Sequence, residues 1–222
     1  YHLLGYDVND YDALFEEKFD LLLQLNREQR VTWQGHFRPE LRDAVIHPQP
    51  LHGQFLIWRA VGGHPASAIL AGRAGVPMTI TTLGGPAAYF TEAIDAYRAE
   101  ATIAGFDAKT LPIATTSLFY TAPNSQDAVN EYHPHLSDGM LALRGSEYPR
   151  AQIEAATDVQ DALMVGSPAQ IIEKMHYQFE LYGQQRFLAQ LDFGGVPFDK
   201  IQRNIELIAT EILPTVRKLT KK

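Results

Sequence analysis

The sequence predicts an α/β fold built on a parallel sheet, and three observations carry that prediction. Four apolar runs, 55–61, 76–83, 113–121 and 186–193, are each followed by a segment with helical periodicity. The first two are nearly all apolar, as strands covered on both faces are, and a short helix-compatible segment, 66–74, joins them in the pattern of a βαβ unit. Three of the four runs end in glycine pairs, Gly62-Gly63, Gly84-Gly85 and Gly194-Gly195. All three lie at the C-terminal end of a strand, which is where parallel α/β folds bind ligands.

The elements follow in order. Residues 10–26 form an amphipathic helix: Asp10 can cap it, and Leu14, Phe15, Lys18, Phe19, Leu22 and Leu25 keep the helical period. Residues 27–54 are loop-like, with short extended pieces at 31–33 and 44–46. That connection is long enough to help wall a site. After the βαβ unit, residues 86–104 read as a helix with Ala93, Ile94, Tyr97 and Ala101 inward, stopped by Gly105. Asn124-Ser125 caps a helix at 126–132. From 133 to 161 the pattern weakens into an excursion with a helical piece at 151–156. Ser167-Pro168-Ala169-Gln170 starts a helix with Ser as N-cap, Pro first and Gln at the capping-box position; Gly183 ends it. The last helix, 198–210, turns Ile201, Ile205 and Ile208 inward.

The bulk numbers narrow the class. At 222 residues the chain suits a single domain, 1–222, and 45% hydrophobic residues can fill its core. A formal charge of -7 argues against a nucleic-acid partner. The absence of cysteine excludes disulfides, thiolate metal sites and a cysteine nucleophile. No apolar run approaches a membrane span and no signal peptide is visible, so a cytoplasmic protein is expected. His133-Pro134-His135 has no third ligand at useful spacing, and no metal is expected there. Because the chain opens on Tyr1 with a helix, it reads as the remainder of something longer.

The turn after the first strand carries the most chemistry. Gly62 and Gly63 leave their backbone amides open to close approach. Pro65 suits the first helical position, and Ser67 places a hydroxyl in the first turn. Free amides and the positive helix end together suit a phosphate; a turn that only reverses the chain is the plain alternative. Asp192, near the end of the last strand, is either a polar lining residue or a partner for a nearby helix N-terminus.

Several long segments, in order, resemble one family. AVGGHPASAILAGRAGVPMTITTLGG is similar to the phosphate-binding segment of the bacterial luciferase-like flavin-dependent monooxygenases, and the run from VGSPAQIIEKMHYQFELYGQQRFLAQLDFGG to the end also fits, as does LRGSEYP between them. The resemblance implies a TIM (β/α)₈ barrel that binds reduced FMN or, in some branches, a deazaflavin, and uses dioxygen on a small organic substrate such as an aldehyde. It implies that Val61, Gly62, Gly63, His64, Ser67 and Thr81 bind the cofactor. His64 departs from the small hydroxyl or acidic residue the family pattern leads one to expect, and would serve through its backbone amide. A flavin reductase as supplier of reduced cofactor and a homo-oligomer, a dimer, are the implied partners. No catalytic residue is assigned; Tyr120 and Arg144 are candidates for the substrate or flavin side, against core packing and a solvated loop respectively.

Family members carry roughly four strands ahead of the first helix seen here. The expectation is therefore a partial barrel, roughly its second half, with four parallel strands that cannot close alone. Two other readings stand beside the enzyme: a non-catalytic flavin-binding protein or partial barrel that assembles with a partner, and a phosphosugar-binding barrel. The strands offer no lysine, which weighs against the last.

Overall fold

The computed structural model describes residues 1–221, which fall into two compact units divided after Ile57. In the first unit, α1 (Tyr11–Arg27) buries Leu14, Phe19 and Leu21. The side chain of Asp10 does not cap it; Asp10 ends a short 3₁₀ turn, Val8–Asp10, capped by Asp7. Two strands, β1 (Val31–Trp33) and β2 (Leu41–Ala44), pair antiparallel, so the second extended piece sits slightly earlier than expected. Glu17 of α1 accepts the backbone amides of His36 (2.6 Å) and Phe37 (2.9 Å), which fixes the loop between the strands.

The second unit alternates strands and helices: β3 (Arg59–Val61), α2 (Pro65–Arg73), β4 (Met78–Thr81), α3 (Thr91–Ile103), β5 (Ile113–Thr121), α4 (Ser125–Arg144), α5 (Arg150–Ala155), β6 (Met164–Gly166), α6 (Pro168–Tyr182), β7 (Arg186–Gln190), α7 (Phe198–Leu207) and α8 (Leu213–Leu219). Every pairing in its sheet is parallel: β3 with β4, β4 with β5, and the long β5 with both β6 and β7. The expected four strands are all present, and the short β6, just after the excursion, adds a fifth. The sheet does not close: among the described residues β3 has only β4 as a sheet neighbour.

Register sorts the side chains into two faces. Val61, Ile80, Thr115 and Phe187 form one row; Thr81, Thr116 and Leu188 form a row on the opposite face. The first row is the better covered: Val61, Ile80 and Thr115 are buried, whereas Leu188 is 44% exposed. Helices α2 and α3 pack closely because Gly72 leaves no side chain against the backbone of Tyr97. The inner residues expected for α3, Ala93, Ile94, Tyr97 and Ala101, are all buried, and Tyr97 donates to the Val76 carbonyl (2.8 Å).

Three expected elements change. The first strand shrinks to three residues, because β4 supplies partners only from Met78 onward, and Phe55 and Leu56 stay exposed. The helix expected at 126–132 runs on for 20 residues, through Pro134. A mid-helix proline costs about 3 kcal/mol, here offset by burial of Tyr132, Leu136 and Met140 in one cluster with Tyr120 and Ile153. The last helix passes through a π turn, Ile208–Ile212, and buries Asn204 and Ile212 while Ile205 is 51% exposed. Asn204 faces inward because its side-chain oxygen accepts the Thr121 amide at the end of β5 (2.7 Å).

Candidate functional site

The expected phosphate turn lies at the C-terminal end of β3. Val61 is the last strand residue and is buried; Gly62 follows with open space where a side chain would be. Gly63 has φ 89°, a left-handed conformation that glycine adopts without strain. A Cβ there would also stand 3.1 Å from the Phe90 ring, so the turn can carry no side chain at this point without displacing it. The amides of Gly62, Gly63 and His64 make no hydrogen bond among the described residues.

His64 is the N-cap of α2, with Pro65 at its first position. Its Nδ1 accepts the Ala66 amide (3.2 Å), so the imidazole does the work of the usual capping oxygen. That accounts for the departure from a hydroxyl or acidic residue: the cap is preserved by a ring nitrogen. Ser67 is half-buried in the first turn. Thr81 ends β4, half-buried and one residue beyond Ile80, which registers with Val61; it therefore stands beside Gly62. The six residues named from the sequence thus share one end of the sheet. Consecutive free amides next to a helix start are the arrangement that forms anion-binding concavities.

The other candidates fall elsewhere. Tyr120 is buried, stacks on Tyr132 with ring centroids 5.1 Å apart, and donates to Glu131 Oε2 (2.7 Å). Arg203 of α7 bonds the same carboxylate and lies 3.1 Å from the Tyr120 hydroxyl. Burial pushes Glu131 up, but Arg203, Tyr120 and Lys200 outweigh it and hold the carboxyl below its usual range. Burial, reinforced by Glu131, pushes the Tyr120 hydroxyl well up. Tyr120 is a core residue tied to a charge network. Arg144 ends α4 and is exposed, as is Asp192. His133 does not stand as a ligand: its Nε2 meets the Tyr148 carbonyl at 2.9 Å.

The structure also brings forward residues that the sequence did not single out. Residues 85–87, beyond β4, bond to 160–162: Ala162 N–H to Gly85 O (2.8 Å) and Ala87 N–H to Gln160 O (2.7 Å). The loop that carries them is pinned by Lys174, fully buried on α6, whose Nζ donates to Ala156 O (2.6 Å) and Asp158 O (2.7 Å). Burial lowers Lys174 to about 8. Asp161 is raised by burial despite accepting the Leu163 amide (2.8 Å). No local pattern marks Lys174, because it meets the Ala156 and Asp158 carbonyls only through the fold.

The open parallel sheet with alternating helices, its edge strand β3 ending in a free-amide turn, is part of a barrel of alternating strands and helices. A family model for luciferase-like monooxygenases matches residues 1–185, and the chain belongs to that family. Among solved structures it is similar to the monooxygenase RslO1 from Streptomyces bottropensis, at 23% identity and TM-score 0.82 over 96% of this chain and 64% of that one. It is also similar to the oxygenating constituent of 3,6-diketocamphane monooxygenase from Pseudomonas putida, a structure in complex with FMN: 17% identity, TM-score 0.60, 95% of this chain and 64% of that one. A third is the coenzyme F420 dependent tetrahydromethanopterin reductase from Methanopyrus kandleri, at 15% identity and TM-score 0.62 over 91% of this chain and 62% of that one. The chain therefore spans under two thirds of the length of each. At these identities the likeness is one of fold. A search of curated proteins gives no match.

Proposed function

We propose that this chain carries the phosphate-binding part of a flavin-dependent monooxygenase site, which uses reduced FMN and dioxygen to oxidise a small organic molecule such as an aldehyde. The observation that supports it most directly is the run of unpaired amides at 62–64, set at the start of α2 and at the ligand-binding end of a parallel sheet. In this reading the amides of Gly62, Gly63 and His64 and the Ser67 hydroxyl hold the phosphate. Thr81 adds a hydroxyl from the neighbouring strand, and buried Val61 fixes the strand end. The flavin, when bound, supplies the oxygen chemistry; the chain's part is to bind, orient and exclude water. Reduced flavin would come from a separate reductase, and the working assembly would be a homodimer.

Titration of the chain with FMN under reducing, anaerobic conditions tests the reading. Saturable one-to-one binding that inorganic phosphate weakens is expected. Absence of binding both here and in a longer parent chain sinks it. A deazaflavin is the second reading, supported by the F420-dependent relative. It would use the same turn, so competition between FMN and F420 for one site separates the two. Oxygen consumption with an added aldehyde then separates an enzyme from a flavin-binding protein without catalysis.

A further inference from the structure

Tyr148 lies in the loop between α4 and α5, and its backbone is held on both sides by α4. Its amide donates to Ser137 Oγ (3.2 Å), and its carbonyl meets His133 Nε2 (2.9 Å). These two α4 residues are four apart and so project from one helix face. The Tyr148 ring packs against the buried cluster around Tyr132, Leu136 and Ile153. The side chain is therefore fixed at its base and along its length.

Its far end is not fixed by anything. The hydroxyl stands 3.4 Å from where a Cβ on Gly84 would be, beyond the end of β4. It has no hydrogen-bond partner among the described residues. Tyr132 Oη is unpaired too, but that atom is sealed in the core, whereas the half-buried Tyr148 keeps its hydroxyl accessible. Gly84 has φ 154°, a conformation that disfavours any side chain, so the space in front of the hydroxyl stays clear. Burial, then the charge of Asp161, raises the phenol to about 12, so at neutral pH it offers a proton and not a phenolate. A rigid, half-buried donor without an internal partner calls for an external acceptor.

The position says which acceptor. β3 and β4 are adjacent, so Gly63 and Gly84 lie past neighbouring strand ends, and Phe90, in the segment that follows Gly84, packs against the Gly63 turn. We propose that the Tyr148 hydroxyl donates a hydrogen bond to a neutral acceptor oxygen on the non-phosphate part of the flavin-type cofactor, on its polyol chain or its ring carbonyls. This rests on the flavin reading above and extends it from the phosphate to the rest of the molecule. It also gives the His-Pro-His segment a role: His133 positions Tyr148 and does not contact the ligand.

The test compares FMN with riboflavin, which lacks the phosphate, on the whole chain. Tyr148→Phe should weaken both about tenfold, the worth of one well-placed hydrogen bond. Ser67→Glu should weaken FMN and spare riboflavin. The unliganded melting temperature of Tyr148→Phe should match the parent, since no internal bond is lost. Should that variant melt lower, Gly84→Ala, which fills the gap and keeps the hydroxyl, should cause the same loss for both flavins. Unchanged affinity of Tyr148→Phe for both, or a loss confined to FMN, overturns the assignment. Failure of the parent chain to bind either flavin overturns the flavin reading itself and is distinguishable from both.

Discussion

Two helix starts in this chain have nearly the same sequence and opposite surroundings. β3 runs through Gly62-Gly63 into His64-Pro65-Ala66-Ser67, and β6 ends on Gly166 and enters Ser167-Pro168-Ala169-Gln170. Each has an N-cap, Pro first, Ala second and a polar third residue. At α6 the amides are consumed: Ser167 N–H donates to Ser125 Oγ (3.1 Å) and Gln170 N–H to Ser167 Oγ (3.4 Å). The Gln170 side chain does not close a capping box. It bonds Ser125 and the Thr157 carbonyl, which seals the turn from the other side. At α2 only the Ala66 amide is taken, by His64, and the amides before it stay free. Whether a helix start keeps amides free for an anion depends on what its neighbours leave unpaired, more than on its own residues.

The largest effect is expected at the sealed turn. Lys174→Met removes the donor that holds Ala156 and Asp158 and leaves two buried carbonyls unpaired. A loss of about 2–4 kcal/mol in chemical denaturation is expected. The same residue gives a pH signature. Burial lowers it to about 8, against an ordinary 10.5, so between those values the unfolded chain binds the more protons. The stability of the parent relative to Lys174→Met should rise with pH across that window and be lost as pH drops back through about 8; taking the difference removes the buried tyrosines, whose raised pKa values lower stability in both chains near pH 10. A difference that falls with pH would contradict the lowering of Lys174 by burial.

The next test exchanges the third residue at each turn. Ser67→Glu should cut FMN affinity at least about tenfold, because a carboxylate repels the phosphate while still suiting the helix start. Gln170→Glu should leave FMN affinity unchanged and lower stability by about 1 kcal/mol through loss of the Thr157 bond. Equal effects of the two on FMN binding would erase the contrast.

The smallest concerns the caps. His64→Ala and Ser167→Ala should each cost about 1 kcal/mol, read from thermal melts. His64→Ser should recover the loss at α2, since a hydroxyl can take the Ala66 amide. No change in His64→Ala would mean that the imidazole contributes no cap.

Much of this architecture was legible beforehand, and the exceptions have physical causes. β5 and α6 could be read residue by residue: nine consecutive strand residues, and a helix bounded by Ser167-Pro168 and Gly183. β6 escaped notice because three buried residues are too short to show a period. Pro134 read as a helix end, since propensity cannot weigh the packing of Tyr132, Leu136 and Met140 against it. Of the candidate site, the glycines and Ser67 stood out through turn chemistry and Thr81 through the family resemblance alone, whereas Tyr148, Asp161 and Lys174 did not stand out.

Local chemistry in the sequence settled where helices start and stop, which runs enter the sheet and which end of it gathers glycines. These depend on backbone freedom and on residues within a few positions of one another. Only tertiary structure decided that one of two like turns stays open and the other is closed. The Ser167 amide finds its partner in Ser125, 42 residues away, while the amides of 62–64 find none among the described residues, and no local pattern records that difference.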